Sequence, residues 1–234
     1  VTFLTLDLET VPQARFTNDQ AWPELDTDYL NEDRGADRIG YEVAAGRAVL
    51  AATKQPAALH ASTCHIVQVS FGWRGAPAEL QRKVLQADDY CDGSPAGVAT
   101  AERALVTEAL DILASACGKR TTIVSFNGKS FDVPVLRGRA ALLGLRVPSI
   151  PWRRLLYPFD DNQHADLRLI LGADDRRARG TLQWWAEAFG IHAEEHGAEV
   201  FSWVQGGEWI ALRDYGLCEA QTLVELFERV QPIL

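Results

Sequence analysis

The sequence predicts an α/β fold in which a mixed β-sheet carries helices on both faces. Three observations lead there. Residues 2–8 (TFLTLDL) and 65–73 (HIVQVSFGW) are β-prone segments with the side-chain pattern of strands held in a core. Residues 99–117 and about 208–230 instead repeat their apolar side chains at the helical period. The elements run strand, strand, strand, helix, strand, helix and then helices only, which is not the regular alternation of a doubly wound parallel sheet.

Bulk composition fits one such unit. The 234 residues are 47% hydrophobic, enough for one sizeable core and too little for two full domains. A charged fraction of 24% with seven tryptophans marks an ordered chain rather than a disordered one. No apolar run approaches the roughly 20 residues that cross a bilayer, so no membrane partner is expected. The first residues are strand-like and show no signal-peptide pattern, so a cytoplasmic location is expected. Cys64, Cys91, Cys117 and Cys218 are scattered without a CxxC pair and read as free thiols.

The formal net charge of −9 argues at first against a nucleic-acid partner. A metal nuclease nevertheless needs a carboxylate cluster, which divalent cations neutralise. The arginines are also uneven: Arg137, Arg139, Arg146, Arg153, Arg154, Arg168, Arg176, Arg177 and Arg179 crowd into one third of the chain. Such a run is either a solvated face or a track for a phosphate backbone.

Taken in order, residues 2–8 form the first strand. Residues 12–61, with their prolines, acidic clusters and one short helix around Tyr41–Ala52, form a surface excursion with no core of its own. Strands follow at 65–73 and 78–86, then a loop (DDYCDGSPAG). The helix at 99–117 takes Thr100 as its N-cap and gathers Ala104, Leu105, Ala109, Ile112 and Leu113 on one face. TTIVSF at 121–126 is a strand. NGKS then turns the chain into a helix ending near Leu143, with Pro134 tolerated in the first turn. Residues 148–163 read as irregular, with shorter helices at 165–172 and 181–189. The terminal helix buries Leu212, Leu223, Val224 and Phe227.

Three sets of residues carry chemistry. Asp7 and Glu9 are two apart on a strand, so they project to one side. Two carboxylates converging at the end of a buried strand are costly unless a cation lies between them, and Mg²⁺ or Mn²⁺ suits an all-oxygen site. The plainer account is an exposed strand end. Asp132 follows FNGKSF at a strand–loop–helix junction, where open α/β sheets place their sites. There Ser130 is a candidate cap, and Asp132 gains from the helix dipole without any function. Tyr215 and Glu219 stand four apart and share a helix face. Alone, that pair reads as an ordinary amphipathic edge.

In this order, the three sets resemble the motifs of the DEDD superfamily of 3′–5′ exonucleases, in the branch that uses a tyrosine. The likeness is to predicted exonucleases related to the proofreading domain of family B DNA polymerases. Asp7 and Glu9 match the first motif, Asn127 with Phe131 and Asp132 the second, and Tyr215 the start of the third. CHIVQVSFG at 64–72, FDVPVLRGRAALLGL at 131–145, HADL at 164–167 and TLQWWAEAFGI at 181–191 extend the likeness over nearly all the chain outside 12–61. The family's third motif ends in aspartate, and here Glu219 stands instead, one methylene longer.

The resemblance implies a single exonuclease domain over 1–234, with a ribonuclease-H-like fold and a mixed five-stranded sheet flanked by helices. It implies two Mg²⁺ or Mn²⁺ ions held by Asp7, Glu9, Asp132 and Glu219, with Tyr215 orienting the attacking water. Leu8, Thr10, Asn127 and Phe131 would then contact the terminal nucleotide. The implied substrate is a single-stranded DNA 3′ end, released as nucleoside 5′-monophosphates, with replication or repair proteins as partners. Asp166 in HADL reads either as support for the site or as a helix N-cap. Two other functions stay open: a catalytically weak or inactive exonuclease-like module that binds nucleic acid or protein, motivated by Glu219, and an RNA-processing 3′–5′ exoribonuclease. His192-Ala-Glu-Glu195-His196 also fits the zinc-peptidase pattern H-x-x-E-H, which needs both histidines on one helix face. Gly190 and Gly197 bracket it too tightly for that.

Overall fold

A computed structural model describes residues 3–13, 61, 63–75, 79–91, 95–172 and 180–233. The helix expected around Tyr41–Ala52, and nearly all of the 12–61 excursion, lie outside the described residues, as do Arg176, Arg177 and Arg179. The strands are β1 (Phe3–Pro12), β2 (Cys64–Arg74), β3 (Leu80–Gln86), β4 (Thr122–Ser125) and β5 (His164–Asp166). They order as β3-β2-β1-β4-β5. The first three pair antiparallel, whereas β4 runs parallel to both β1 and β5.

The helices are α1 (Pro95–Gly118), α2 (Asp132–Leu142), α3 (Trp152–Leu155), α4 (Leu167–Leu171), α5 (Leu182–Ala188), α6 (Val200–Gly206) and α7 (Trp209–Val230). Alternation along β1 separates two faces. Leu4, Leu6 and Leu8 join Leu105, Leu110 and Leu113 of α1 in one apolar cluster. Phe3 turns the other way, edge-on to Phe227 of α7 at 4.8 Å between ring centroids. Asp7 and Glu9 share that second face by the period of two. Each fully buried leucine in these layers contributes about 1.5–3 kcal/mol.

Close approach of α7 to β2 depends on two glycines. A Cβ on Gly72 would lie 2.7 Å from the Ala220 carbonyl oxygen, and one on Gly216 would lie 2.2 Å from Gln68 Oε1. Gln68 is itself fixed by donating to the Leu212 carbonyl at 2.7 Å. The helix is thereby pressed onto the sheet beside the carboxylate end of β1.

Several expectations change. His164–Asp166 is the fifth strand, where a helix was expected from residue 165; three residues are too few to show a strand period, and Asp166 ends it by capping α4 through the Arg168 amide. Thr100 lies inside α1, which already begins at Pro95, a residue suited to a first turn. Ala104 is exposed. The buried face of α1 takes up Glu102 instead, whose carboxylate receives two bonds from Arg139 of α2 at 2.6 and 2.7 Å and one from the Ile66 amide. Ser130 does not cap α2, which has no side-chain cap. Residues 191–196 form no helix, so His192 and His196 lack the shared helix face of a zinc peptidase. No helix among the described residues is long and apolar enough to cross a membrane.

Candidate active site

Asp7, Glu9 and Glu219 meet where β1 passes beneath α7. One carboxylate oxygen from each lies within 4.8 Å of the others. Tyr215, one turn before Glu219, donates its hydroxyl to Glu219 Oε1 at 2.7 Å. Asp7 Oδ2 and Glu219 Oε2 are buried with no hydrogen-bond partner among the described residues. Two orphaned carboxylate oxygens facing a third acid form a donor set that fits a hard divalent cation.

Asp132 enters from the start of α2 and is almost wholly buried. Its Oδ1 accepts the Leu8 amide at 2.9 Å, which ties α2 to the middle of the Asp7-Leu8-Glu9 segment. It neighbours Asp7 without joining the trio whose oxygens converge. Burial, and then the charge of Asp7, pushes the Asp132 carboxyl well above the usual carboxylate range. Burial also raises Asp7 and, with Asp7 and Glu9 beside it, Glu219. Glu9 is pushed up to about 8 by burial and the neighbouring Asp7. Burial, followed by the charge of Glu219, raises the Tyr215 phenol, which therefore stays protonated as a donor.

The loop joining β4 to α2 is held by residues outside the three motifs. Asp166 accepts the amides of Asn127 and Lys129, both at 2.9 Å. Asn127 sits at φ +68, a left-handed conformation that asparagine tolerates. His164 donates from Nδ1 to the Leu155 carbonyl and accepts the Ser125 hydroxyl at Nε2, both at 2.7 Å. Ser125 Oγ in turn accepts the Gly128 amide at 3.1 Å. Lys129 extends its ammonium to the Pro158 carbonyl and to Asp161. Asp166 is thus both the cap of α4 and a support for the site.

A cleft of about 640 Å³ opens at the carboxylates, lined by Asp7, Tyr215 and Glu219 together with Asn127, Arg168, Glu195 and residues 180–183. Arg168 donates to Asn127 Oδ1 at 2.7 Å. Of the residues expected to touch a nucleotide, Asn127 lines this cleft. Phe131 is half-buried against the core. Leu8 packs in the α1-side core and offers the site only its amide, while Thr10, buried one residue beyond a register shift in β1, does not line the cleft. Sequence reasoning assigned no role to His164, Lys129 or Ser125, which entered it only as members of HADL, NGKS and TTIVSF.

A model of a sequence family described as predicted 3′–5′ exonucleases related to the exonuclease domain of PolB matches residues 64–232. No curated protein matches the chain. Among solved structures, the family B DNA polymerase from the hyperthermophilic archaeon Pyrobaculum calidifontis matches with a TM-score of 0.57 and 16% identity over 99% of this chain. The chain spans 25% of that polymerase's length. The likeness covers the fold, a five-stranded mixed sheet with flanking helices of ribonuclease-H-like type. Asp7 and Glu9 precede the family match, and the pairing of β1 with β2 and β4 carries them to it. The chain belongs to the family of predicted 3′–5′ exonucleases related to the exonuclease domain of PolB.

Proposed function

We propose that this protein hydrolyses single-stranded nucleic acid, DNA in preference to RNA, from its 3′ end and releases nucleoside 5′-monophosphates. The observation that carries the reading is the convergence of Asp7, Glu9 and Glu219, of which Asp7 and Glu219 carry orphaned buried oxygens and line a cleft of about 640 Å³. Family membership supports a nucleic-acid substrate, and the relation to a DNA polymerase's exonuclease domain supports DNA.

Asp7, Glu9, Glu219 and Asp132 would hold two Mg²⁺ or Mn²⁺ ions, whose chemistry is to activate the attacking water and to stabilise the departing 3′-oxygen. Asp7, central to the cluster, would help to hold both ions, with Glu9 and Glu219 as further ligands of one and Asp132 of the other. Tyr215 keeps its proton, anchors Glu219 and orients the water. Asn127 and Phe131 position the terminal nucleotide, with Asn127 steadied by Arg168. Leu8 supports Asp132 through its amide, and Thr10 borders the strand end beyond Glu9. In the same reading the protein acts in the cytoplasm beside replication or repair proteins.

The test is a 5′-labelled and a 3′-labelled single strand, as DNA and as RNA, incubated with Mg²⁺ or Mn²⁺ and either wild type or Asp7→Ala. A ladder shortening from the 3′ end that needs both metal and Asp7 is the expected result. Metal-independent cleavage, or cleavage that survives Asp7→Ala, overturns it. Glu219 motivates the second reading, a binding module that does not cut, because its extra methylene moves the carboxylate relative to aspartate. Binding without cleavage, with cleavage appearing in Glu219→Asp, would support that reading.

A further inference from the structure

Trp184 is a large aromatic side chain left 55% exposed, and nothing in the chemistry above uses it. Its place is specific. It follows Gly180, Thr181, Leu182 and Gln183, all of which line the cleft. Gly180, at φ +117, lies so close to the indoles of Trp184 and Trp185 that a Cβ there would meet ring atoms of both at 2.9 Å. The two rings stand edge to face, 4.7 Å apart at 82°. Trp185 is partly buried against the core under α7 and anchors the pair.

The first turn of α5 is also fixed. Thr181 Oγ1 accepts the Trp184 amide at 3.2 Å, and the Gln183 side chain donates to the Glu194 carbonyl at 2.8 Å. The exposed indole is therefore preorganised on the residue that directly follows the cleft-lining segment 180–183. A mounted, solvent-facing aromatic next to a cleft whose lining includes Arg168, bonded to Asn127, supplies the stacking part of the combination by which proteins bind single strands without reading sequence. Bases stack on the ring, and cationic side chains meet the backbone.

We propose that Trp184 is a stacking platform for a base of the single strand upstream of the 3′-terminal nucleotide. The proposal rests on the exonuclease reading and deepens it: the protein grips the strand beyond the cleft and does so without base preference. Trp184 is then a positioning residue that acts on binding, while the carboxylates act on the bond.

The test uses the full chain carrying Asp7→Asn, which cannot cut in the exonuclease reading, with fluorescently labelled dT2 and dT8 strands and an otherwise identical dT8 whose upstream nucleotides are abasic. Trp184→Ala in this background should weaken dT8 binding about tenfold, the scale of one base–aromatic stack, and Trp184→Phe should restore most of it. The dT2 strand and the abasic strand should show no dependence on residue 184. Equal dT8 affinity with and without the Trp184→Ala substitution overturns the platform and leaves the exonuclease reading standing. Failure of both the wild-type and the Asp7→Asn protein to bind any strand overturns both.

Discussion

Divalent cations should stabilise this protein through Asp7, and Asp7→Asn should abolish that effect while stabilising the metal-free chain. The oxygens of Asp7, Glu9 and Glu219 lie within 4.8 Å of one another. Two unit charges at that distance repel by about 3.5 kcal/mol at an effective dielectric constant near 20, so three ionised carboxylates would cost about 10 kcal/mol. A domain's whole stability is only about 5–15 kcal/mol, so the metal-free site must hold protons. That matches the upward displacement of Glu9 to about 8 and of Asp7 and Glu219 in the same direction. Their folded values exceed their unfolded ones, so the folded state binds more protons in between. The cluster's own contribution to metal-free stability is therefore greatest below about pH 4.5 and falls as pH rises through about 8.

A bound cation removes that loss. At a concentration one hundred times its dissociation constant it adds about 2.7 kcal/mol, or about 5–11 °C in Tm for a chain of this size. The assay is thermal unfolding at pH 8 in chelator and in Mn²⁺, for wild type and Asp7→Asn. The expected result is a Tm rise confined to wild type, with the variant the more stable of the two in chelator. An equal Mn²⁺ shift in both proteins, or a lower Tm for metal-free Asp7→Asn, refutes the reasoning.

Other perturbations probe the scaffold. Arg139→Met strands the Glu102 carboxylate in the core and should cost about 3–5 kcal/mol in urea unfolding. Adding Glu102→Gln should recover most of it, because glutamine keeps an acceptor for the Ile66 amide; a double variant weaker than the single one would contradict this. His164 is pushed down to about 4, mainly by burial, against about 6.5 when unfolded. The unfolded chain alone takes up that proton, so the contribution is complete above pH 6.5 and is lost as pH falls towards 4, a span of about 3 kcal/mol. Wild type should therefore lose about that much more stability than His164→Gln between pH 7 and pH 4, and parallel urea midpoints would sink the account. Gly128→Ala would place a Cβ 2.1 Å from Ser125 Oγ and should cost about 1–3 kcal/mol, with nuclease turnover falling as the loop shifts. Unchanged stability and turnover would mean the loop has room to move.

Long periodic elements were legible before any coordinates. Strand β2 and helix α7 lie within a residue or two of their expected ends, because a buried run or a repeating apolar stripe needs no partner to be recognised. Strand β5 was not legible. Its three residues show no period, and they become a strand only because β4 offers them a ladder of hydrogen bonds. Helix α6 was missed as well, since seven residues give room for only one repeat of the helical spacing, Val200 to Val204. Ala104 and Glu102 exchanged expected roles because Arg139, 37 residues further on, makes a buried glutamate tolerable.

The site divides along the same line. Sequence alone determined that Asp7 and Glu9 share one face of a strand and that Tyr215 and Glu219 share one face of a helix, since backbone periodicity is a local property. It also pointed to Asp132 as the acid at a helix start. Only the tertiary structure decided which acids meet. Gly72 and Gly216 let α7 sink onto β2, which brings Glu219 into reach of Asp7 and Glu9, while Asp132 stops at the Leu8 amide beside them. Protonation was likewise undetermined until packing, because carboxylates are pushed upward by the loss of water and by each other's charge. The Asp7–Glu9 repulsion is local to β1, but the burial and the charges of Glu219 and Asp132 come from segments about 120 to 210 residues away, which no local pattern encodes.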